Sequence, residues 1–342
     1  MKKILALVLA LCMIAALCAC GNTAAPAPTA APAASTETTE TAEPAGPKYT
    51  VGICQLMQHD ALDAATQGFM DAIKEQLGDD VAFDLQNASG DSAMCSTIVT
   101  GFVSNKVDLI MANATPALQA AVAATTEIPI LATSVTDFGT ALADPDMDPA
   151  AGTGINVSGT SDGVPGQLYA DLTMELVPEA KKVAVVYCSA EANSVVQADD
   201  FVACMDAKGV ATEVFTFADS NDMQAVITAA IEGADALYIP TDNTAASNMT
   251  IVANVCEPNK IPVICGEENM MANGGLATVS ISYYNIGYVC GQMAVDILTN
   301  KADISKMPIG YASDPVKEYN PAFAEAIGFA MPEGFTAVEP KA

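Results

Sequence analysis

The stretch VDLIMANATPALQAAVAATTEIPILATSV, Val107–Val135, decides the fold. It opens on a β-rich run (VDLIMANA), continues through a helical pattern (PALQAAVAATTE) and closes on a second β-rich run (IPILATSV). Strand, helix and strand at this spacing make a parallel βαβ unit.

The alternation extends in both directions. Upstream, YTVGICQL (Tyr49–Leu56) reads as a strand, and HDALDAATQGFMDAIKEQLG places Leu62, Ala65, Phe69 and Ile73 on one helical face before the strand VAFDLQN. Downstream a second series begins at Lys182. KVAVVYC is followed by a helix over Val195–Lys208, VATEVFTF, a helix over Met223–Ile231, ADALYIP, a helix over Thr244–Cys256, IPVICG and GLATVSIS. The two series share an offset: Asp108 corresponds to Asp235, 127 residues on, and Pro129 to Pro262, 133 residues on. Near-constant offsets between like strands imply an α/β fold of two Rossmann-like lobes with parallel sheets, against the alternative of two unrelated α/β domains.

Open parallel sheets bind ligands beyond the C-terminal ends of their strands, so two facing lobes put the site in the cleft between them. The loops past each strand supply the candidates. Thr115, Asn193 and Ser194 stand at helix starts, where hydroxyl and amide side chains act either as ordinary caps or beside N–H groups that can hold a carboxylate. Asp242 and Glu267 suit an ammonium group, Asp242 lying 127 residues beyond Thr115; the competing reading is that Asp242 caps its helix. Gln58, Asn113, Thr136, Asp137 and Asn243 complete the strand-end set, with His59, the single histidine, either at the cleft mouth or facing solvent. A carboxylate grip on one wall and an ammonium grip on the other would hold an amino-acid zwitterion.

Composition narrows the chemistry. The formal net charge is −28, which excludes nucleic acid as a partner because phosphate neutralisation needs a basic face. All 13 basic residues are lysine, so no guanidinium fork is available for an anionic ligand group. One histidine rules out a multi-histidine metal site, and no GxGxxG, P-loop, HExxH or nucleophile-elbow pattern is present. The expectation is a binding protein with no cofactor, no metal and no catalytic constellation.

The N-terminus sets location. Lys2 and Lys3 precede the uncharged apolar run Ile4–Leu17, shorter than the roughly 20 residues that span a bilayer, and so of signal-peptide type. Leu17-Cys18-Ala19-Cys20 resembles a bacterial lipobox, which would make Cys20 an acylated anchor; an ordinary secretory signal with a chance cysteine is the alternative. The Ala, Thr, Pro, Ser and Glu of Gly21–Pro47 offer nothing large to bury and read as a flexible tether, reaching roughly 30 Å as a coil. Of the seven cysteines beyond it (Cys54, Cys95, Cys188, Cys204, Cys256, Cys265 and Cys290), several sit in apolar strands; most are expected to be free thiols.

The segments GICQLMQHDALDAATQGFMDAI, VDLIMANATPALQAA, IPILATSVTD, GINVSGTSD, LVPEAKKVAVVYCSAEANS, ALYIPTDNT, IPVICGEEN and YYNIGYVCGQMAVDIL resemble, in order, the ABC transporter substrate-binding protein family that includes tryptophan- and tyrosine-type uptake receptors. The resemblance spans nearly all of residues 51–298. It implies a type I periplasmic-binding-protein fold with three hinge crossings, near Gly154–Thr160, Val279–Tyr284 and Gly310–Asp314, which closes on its ligand. It also implies that Thr115, Asn193, Ser194, Asp242, Asn243 and Glu267 lie in or near the cleft, and that the partners are a small-molecule ligand, an amino acid of aromatic or branched type, and a membrane permease. The family often carries His-Pro where this chain has His59-Asp60, so the role of the first loop stays open.

The division expected is 1–19 signal peptide, 20–47 anchor and tether, 48–158 first lobe, 159–281 second lobe, 282–312 return to the first, and 313–342 return to the second, in a monomer held at the outer face of the membrane. A ligand sensor, a nucleoside or sugar binder of the same fold, and a lipid-anchored enzyme are the competing functions. A repressor of this fold is disfavoured because no helix-turn-helix precedes the first lobe.

Overall fold

The computed structural model describes residues 46–311 and 314–338. The expected signal peptide, the expected anchor Cys20 and most of the expected tether lie outside them.

The first series builds β1 (Tyr49–Gln55), α1 (Asp60–Leu77), β2 (Val81–Asn87), α2 (Ser92–Asn105), β3 (Leu109–Asn113), α3 (Thr115–Ala124), β4 (Ile130–Val135), α4 (Phe138–Ala141) and β5 (Val157–Ser161). The second builds α5 (Gly166–Leu176), β6 (Lys182–Cys188), α6 (Ala192–Ala207), β7 (Ala211–Phe217), α7 (Ser220–Ala230), β8 (Ala236–Ile239), α8 (Asn243–Ala246), α9 (Met249–Asn259), β9 (Val263–Cys265), α10 (Glu268–Gly274) and β10 (Ala277–Ser280). The chain then forms α11 (Tyr283–Asn300), β11 (Gly310–Tyr311), β12 (Val316–Tyr319), α12 (Pro321–Ile327) and β13 (Thr336–Ala337).

Two sheets result. One is ordered β2-β1-β3-β4-β5-β11 and the other β7-β6-β8-β9-β10-β12-β13, so the first five strands of each follow the same winding. The internal offset read from the sequence is this shared topology. The central strands β3, β4, β8 and β9 are buried along their whole length, which is why they read as continuous apolar runs and not as alternating ones.

Three details differ from the sequence reading. β5 stays in the first sheet through Ser161, so the first crossing follows Ser161 and not residue 158. The second sheet is not wholly parallel: β12 runs antiparallel to β10. The chain returns to that sheet from β11, a parallel strand of the other one, and so enters at the cleft end and runs the opposite way. Finally, the helix expected over Thr244–Cys256 is two helices. The Asn248 side chain donates to the Thr244 carbonyl at 2.8 Å, taking the acceptor that the next turn of a continuous helix would use.

Helix α11 packs along α1, fixing the second crossing. A Cβ at Gly68 would lie 2.1 Å from the Tyr284 carbonyl oxygen, and one at Gly287 would lie 1.9 Å from that of Ala65. Only glycine allows this approach. The seven cysteines are free thiols, all buried except the half-buried Cys204. No helix among the described residues is long and apolar enough to cross a membrane.

Candidate functional site

The residues that follow strands of both sheets converge. His59, Ser134, Thr136, Asp162, Asn193, Thr241, Asp242, Asn243, Glu267 and Tyr283 line one central cavity, with Leu62, Ala246 and Met270 as its apolar wall. Its volume is about 10 Å³, the space of a single water molecule, against the roughly 300–1,000 Å³ of small-molecule sites. Larger pockets of about 250 and 300 Å³ flank it, one walled by Gln58, His59, Ser247 and Asn273, the other by Thr136, Asp137, Val196 and Tyr311.

The two lobes touch across the mouth. His59 Nε2 lies 3.1 Å from Asn243 Oδ1, the Asn273 amide donates to Asp60 Oδ2 at 3.2 Å, and the Ser247 hydroxyl meets Met57 Sδ at 3.3 Å. The Asn243 amide nitrogen is spent on Glu191, so its oxygen faces His59 and the Nε2 nitrogen carries the proton. Burial holds the His59 imidazole below its ordinary pKa and therefore neutral.

The wall from the second lobe is a network of carboxylates. Asp242 caps α8, accepting from the Ala245 N–H (2.8 Å), the Cys188 N–H (2.7 Å) and the Ser194 hydroxyl (2.8 Å). Glu267 caps α10, accepting from the N–H groups of Asn269 (2.7 Å) and Met270 (2.5 Å) and from the Asn269 amide (3.2 Å). Glu191, buried behind them, takes four donors from Asn243 and Thr244 at 2.7–2.9 Å. Burial pushes Asp242 up to about 7, helped by the charge of Glu191, and pushes Glu267 up to about 7. No lysine lines the cavity.

The sequence candidates divide accordingly. His59, Thr136, Asn193, Asp242, Asn243 and Glu267 line the cavity. Gln58 and Asp137 line only the flanking pockets, and Asp137 caps α4. Asn113 points into the first lobe, donating to the Leu62 carbonyl and the Thr66 hydroxyl, and ties α1 to β3. Ser194 is fully buried and reaches the site only by holding Asp242. Thr115 is buried and does not line the cavity; the residue that stands where Asp242 stands is Ala114, the cap position of α3. The loops past the strands converge, but one residue of register decides which side chain faces the cavity.

Four polar lining residues, Ser134, Asp162, Thr241 and Tyr283, escaped the candidate set. Ser134 adopts a left-handed backbone (φ 55°) at the end of β4, Asp162 follows β5, and Tyr283 opens α11 and donates to Asp162 Oδ2 at 2.7 Å. Ser134 and Asp162 stood in strand-end positions and were findable by that rule. Tyr283 was not, because its place depends on a partner 121 residues earlier.

Residues 50–338 match the family profile described as ABC transporter substrate binding protein. The chain belongs to that family. This binding protein is 37% identical over 265 residues to a tyrosine-binding protein of Clostridioides difficile (strain R20291), covering 76% of this chain and 75% of the relative. Among solved structures it resembles an ABC domain from Streptococcus pneumonia in complex with L-Trp, at 29% identity and a TM-score of 0.80 over 85% of this chain and 100% of that one. It also resembles the ligand-free, open form of a substrate-binding protein with adhesive properties from Clostridium difficile, at 37% identity but a TM-score of 0.66, over 86% and 100%. The shape is thus nearer to the complex although the sequence is nearer to the open form. Together with the contacts across the mouth, this identifies a closed arrangement of the two lobes in a type I periplasmic-binding-protein fold.

Proposed function

We propose that this protein captures an aromatic amino acid in the interlobe cleft outside the cytoplasmic membrane and presents it to a membrane permease. The observation that carries the reading is the cavity itself: three carboxylates (Asp162, Asp242 and Glu267), no lysine and no arginine, in a family whose similar members include a tyrosine-binding protein and a complex with L-Trp. An acidic wall of this kind suits an ammonium group. Leu62, Ala246, Met270 and the ring of Tyr283 offer apolar surface for the rest of the ligand. At about 10 Å³ the cavity admits an amino acid only when the lobes part, so capture is a hinge motion about the three crossings. In this reading the lobes are residues 46–161 with 283–311, and 162–282 with 314–338, and Cys20 anchors a monomer through the tether. The protein acts on its ligand by binding alone, without cofactor or turnover.

A thermal-shift screen of the twenty amino acids, nucleosides and common sugars at about 1 mM tests this. A micromolar ligand adds roughly 4 kcal/mol and several degrees to the midpoint. A response confined to aromatic amino acids supports the reading; a response confined to nucleosides or sugars overturns it.

A further inference from the structure

Among the described residues, eight buried side-chain polar atoms have no hydrogen-bond partner, and four of them line the central cavity: His59 Nδ1, Ser134 Oγ, Asp162 Oδ1 and Asn193 Oδ1. Buried polar groups are nearly always paired, so four such atoms around a space of about 10 Å³ require an explanation. Their chemistry is lopsided. Asn193 donates its amide to the Thr241 carbonyl at 2.8 Å, which leaves its oxygen as the open atom. His59 carries its proton on Nε2, toward Asn243, so its open Nδ1 is a lone pair. Asp162 Oδ1 is a carboxylate oxygen. Three open acceptors and one hydroxyl belong to residues that line a single small space.

The three carboxylates of that space are not equivalent. Asp242 and Glu267 each spend both oxygens on three donors, N–H groups of the helices they cap among them. Asp162 caps no helix; the Tyr283 hydroxyl donates to its Oδ2 at 2.7 Å, the Thr136 hydroxyl and its own N–H also favour its charged form, and burial raises its pKa as it does those of the other two. It also sits where the chain first leaves β5 for the second sheet, held by a tyrosine from the second crossing, so its position depends on how the two lobes stand.

We infer that Asp162, and not Asp242 or Glu267, is the counter-ion of the ligand's ammonium group, with Asn193 Oδ1 and His59 Nδ1 as the other two acceptors. A primary ammonium offers three N–H donors, and the cavity offers three open acceptors, one of them charged. The Ser134 hydroxyl, the only donor among the four, is left for the ligand's carboxylate. Tyr283 is a positioning residue that directs the free oxygen of Asp162 inward. The inference rests on the amino-acid reading above and sharpens it to one residue.

The test is calorimetric titration of wild type, Asp162→Asn and Asp242→Asn with L-tyrosine, L-tryptophan and their deaminated acids, 3-(4-hydroxyphenyl)propanoate and indole-3-propanoate. Wild type is expected to prefer the amino acid over its deaminated acid. Asp162→Asn should weaken amino-acid binding by about 100-fold or more and erase that preference, because the amide would turn an N–H toward the ammonium. Asp242→Asn should weaken amino-acid binding by much less than Asp162→Asn does and should leave a clear preference for the amino acid over its deaminated acid. If Asp162→Asn does not fold, Asp162→Ser, which leaves a hydroxyl for Tyr283, carries the same expectation. Amino-acid binding with the preference intact in the Asp162 variant, or lost only in Asp242→Asn, overturns the inference and leaves the function standing. A wild type that binds neither amino acid overturns both.

Discussion

The two lobes wind their strands in the same order yet finish one matched pair, β3 and β8, with opposite chemistry. In the first lobe, α1 and α3 begin at His59 and Ala114 with no side-chain cap on their N–H groups. Ala114 is held at φ 86°, ψ 158°, a region that residues other than glycine rarely enter. In the second lobe, α8 and α10 begin at Asp242 and Glu267, each closed by its own carboxylate, with Glu191 adding four more bonds. The second lobe therefore brings a finished carboxylate network at Asp242, Glu267 and Glu191, with open atoms beside it at Asp162 Oδ1 and Asn193 Oδ1, whereas the first brings the open atoms His59 Nδ1 and Ser134 Oγ and no carboxylate cap at α1 or α3. Paired groups hold the wall in place; unpaired groups wait for a ligand. Stability and binding should accordingly separate by residue.

The largest loss is expected at Glu191. Replacing it by alanine strands the Asn243 amide and the N–H groups of Asn243 and Thr244 in a buried site, and should cost about 3 kcal/mol or more, read from urea unfolding. Asp242→Ala removes one cap and two further bonds and should cost about 2 kcal/mol by the same measurement. A loss at Asp242 below about 0.5 kcal/mol would break the comparison, since the second-lobe network would then not be structural.

Acidity gives an effect of defined sign. Asp242 and Glu267 bind protons up to about pH 7 in the folded chain but release them near their ordinary values of 3.8 and 4.5 when unfolded. Between those limits the folded state holds more protons, so their contribution to stability is complete below about pH 4 and is lost as pH rises through 7. Glu318, also pushed to about 7 by burial, adds in the same direction, and His59 opposes it below its ordinary 6.5. A ligand held through its ammonium group prefers the ionised wall, so its affinity should instead rise from pH 5 to pH 7. Unfolding midpoints and titrations across that range check both slopes. The smallest stability effect belongs to Ser134→Ala, which deletes an unpartnered hydroxyl: stability should stay within about 0.5 kcal/mol while ligand binding weakens, a combination that no residue of the second-lobe network should show.

How much of this was legible in the sequence follows from the range of each interaction. Strands such as LIMAN and ILATSV declare themselves because burial on both faces leaves mostly apolar residues, and the offset between Asp108 and Asp235 carries the repeated winding. The cleft followed from strand ends, and six of the eleven candidates line it. Asn113, Thr115 and Ser194 missed because the sequence gives a loop's place but not the turn of a side chain within it. Asp162 lay in a quoted segment, GTSD, but its distinction from Asp242 rests on which carboxylates find donors, and that depends on neighbours 54 and 121 residues away. The antiparallel β12 likewise reflects the end at which the chain re-enters a sheet, which no local pattern encodes.

The most direct measurement is calorimetric titration of the wild-type protein at pH 7 with L-tryptophan and L-tyrosine, each beside its deaminated acid. If the open acceptors of the cleft exist for an ammonium group, at least one amino acid should bind about 100-fold or more tightly than its deaminated counterpart. Equal affinity for the two members of both pairs would contradict the account, because the unpaired atoms around the cavity would then have no part in recognition.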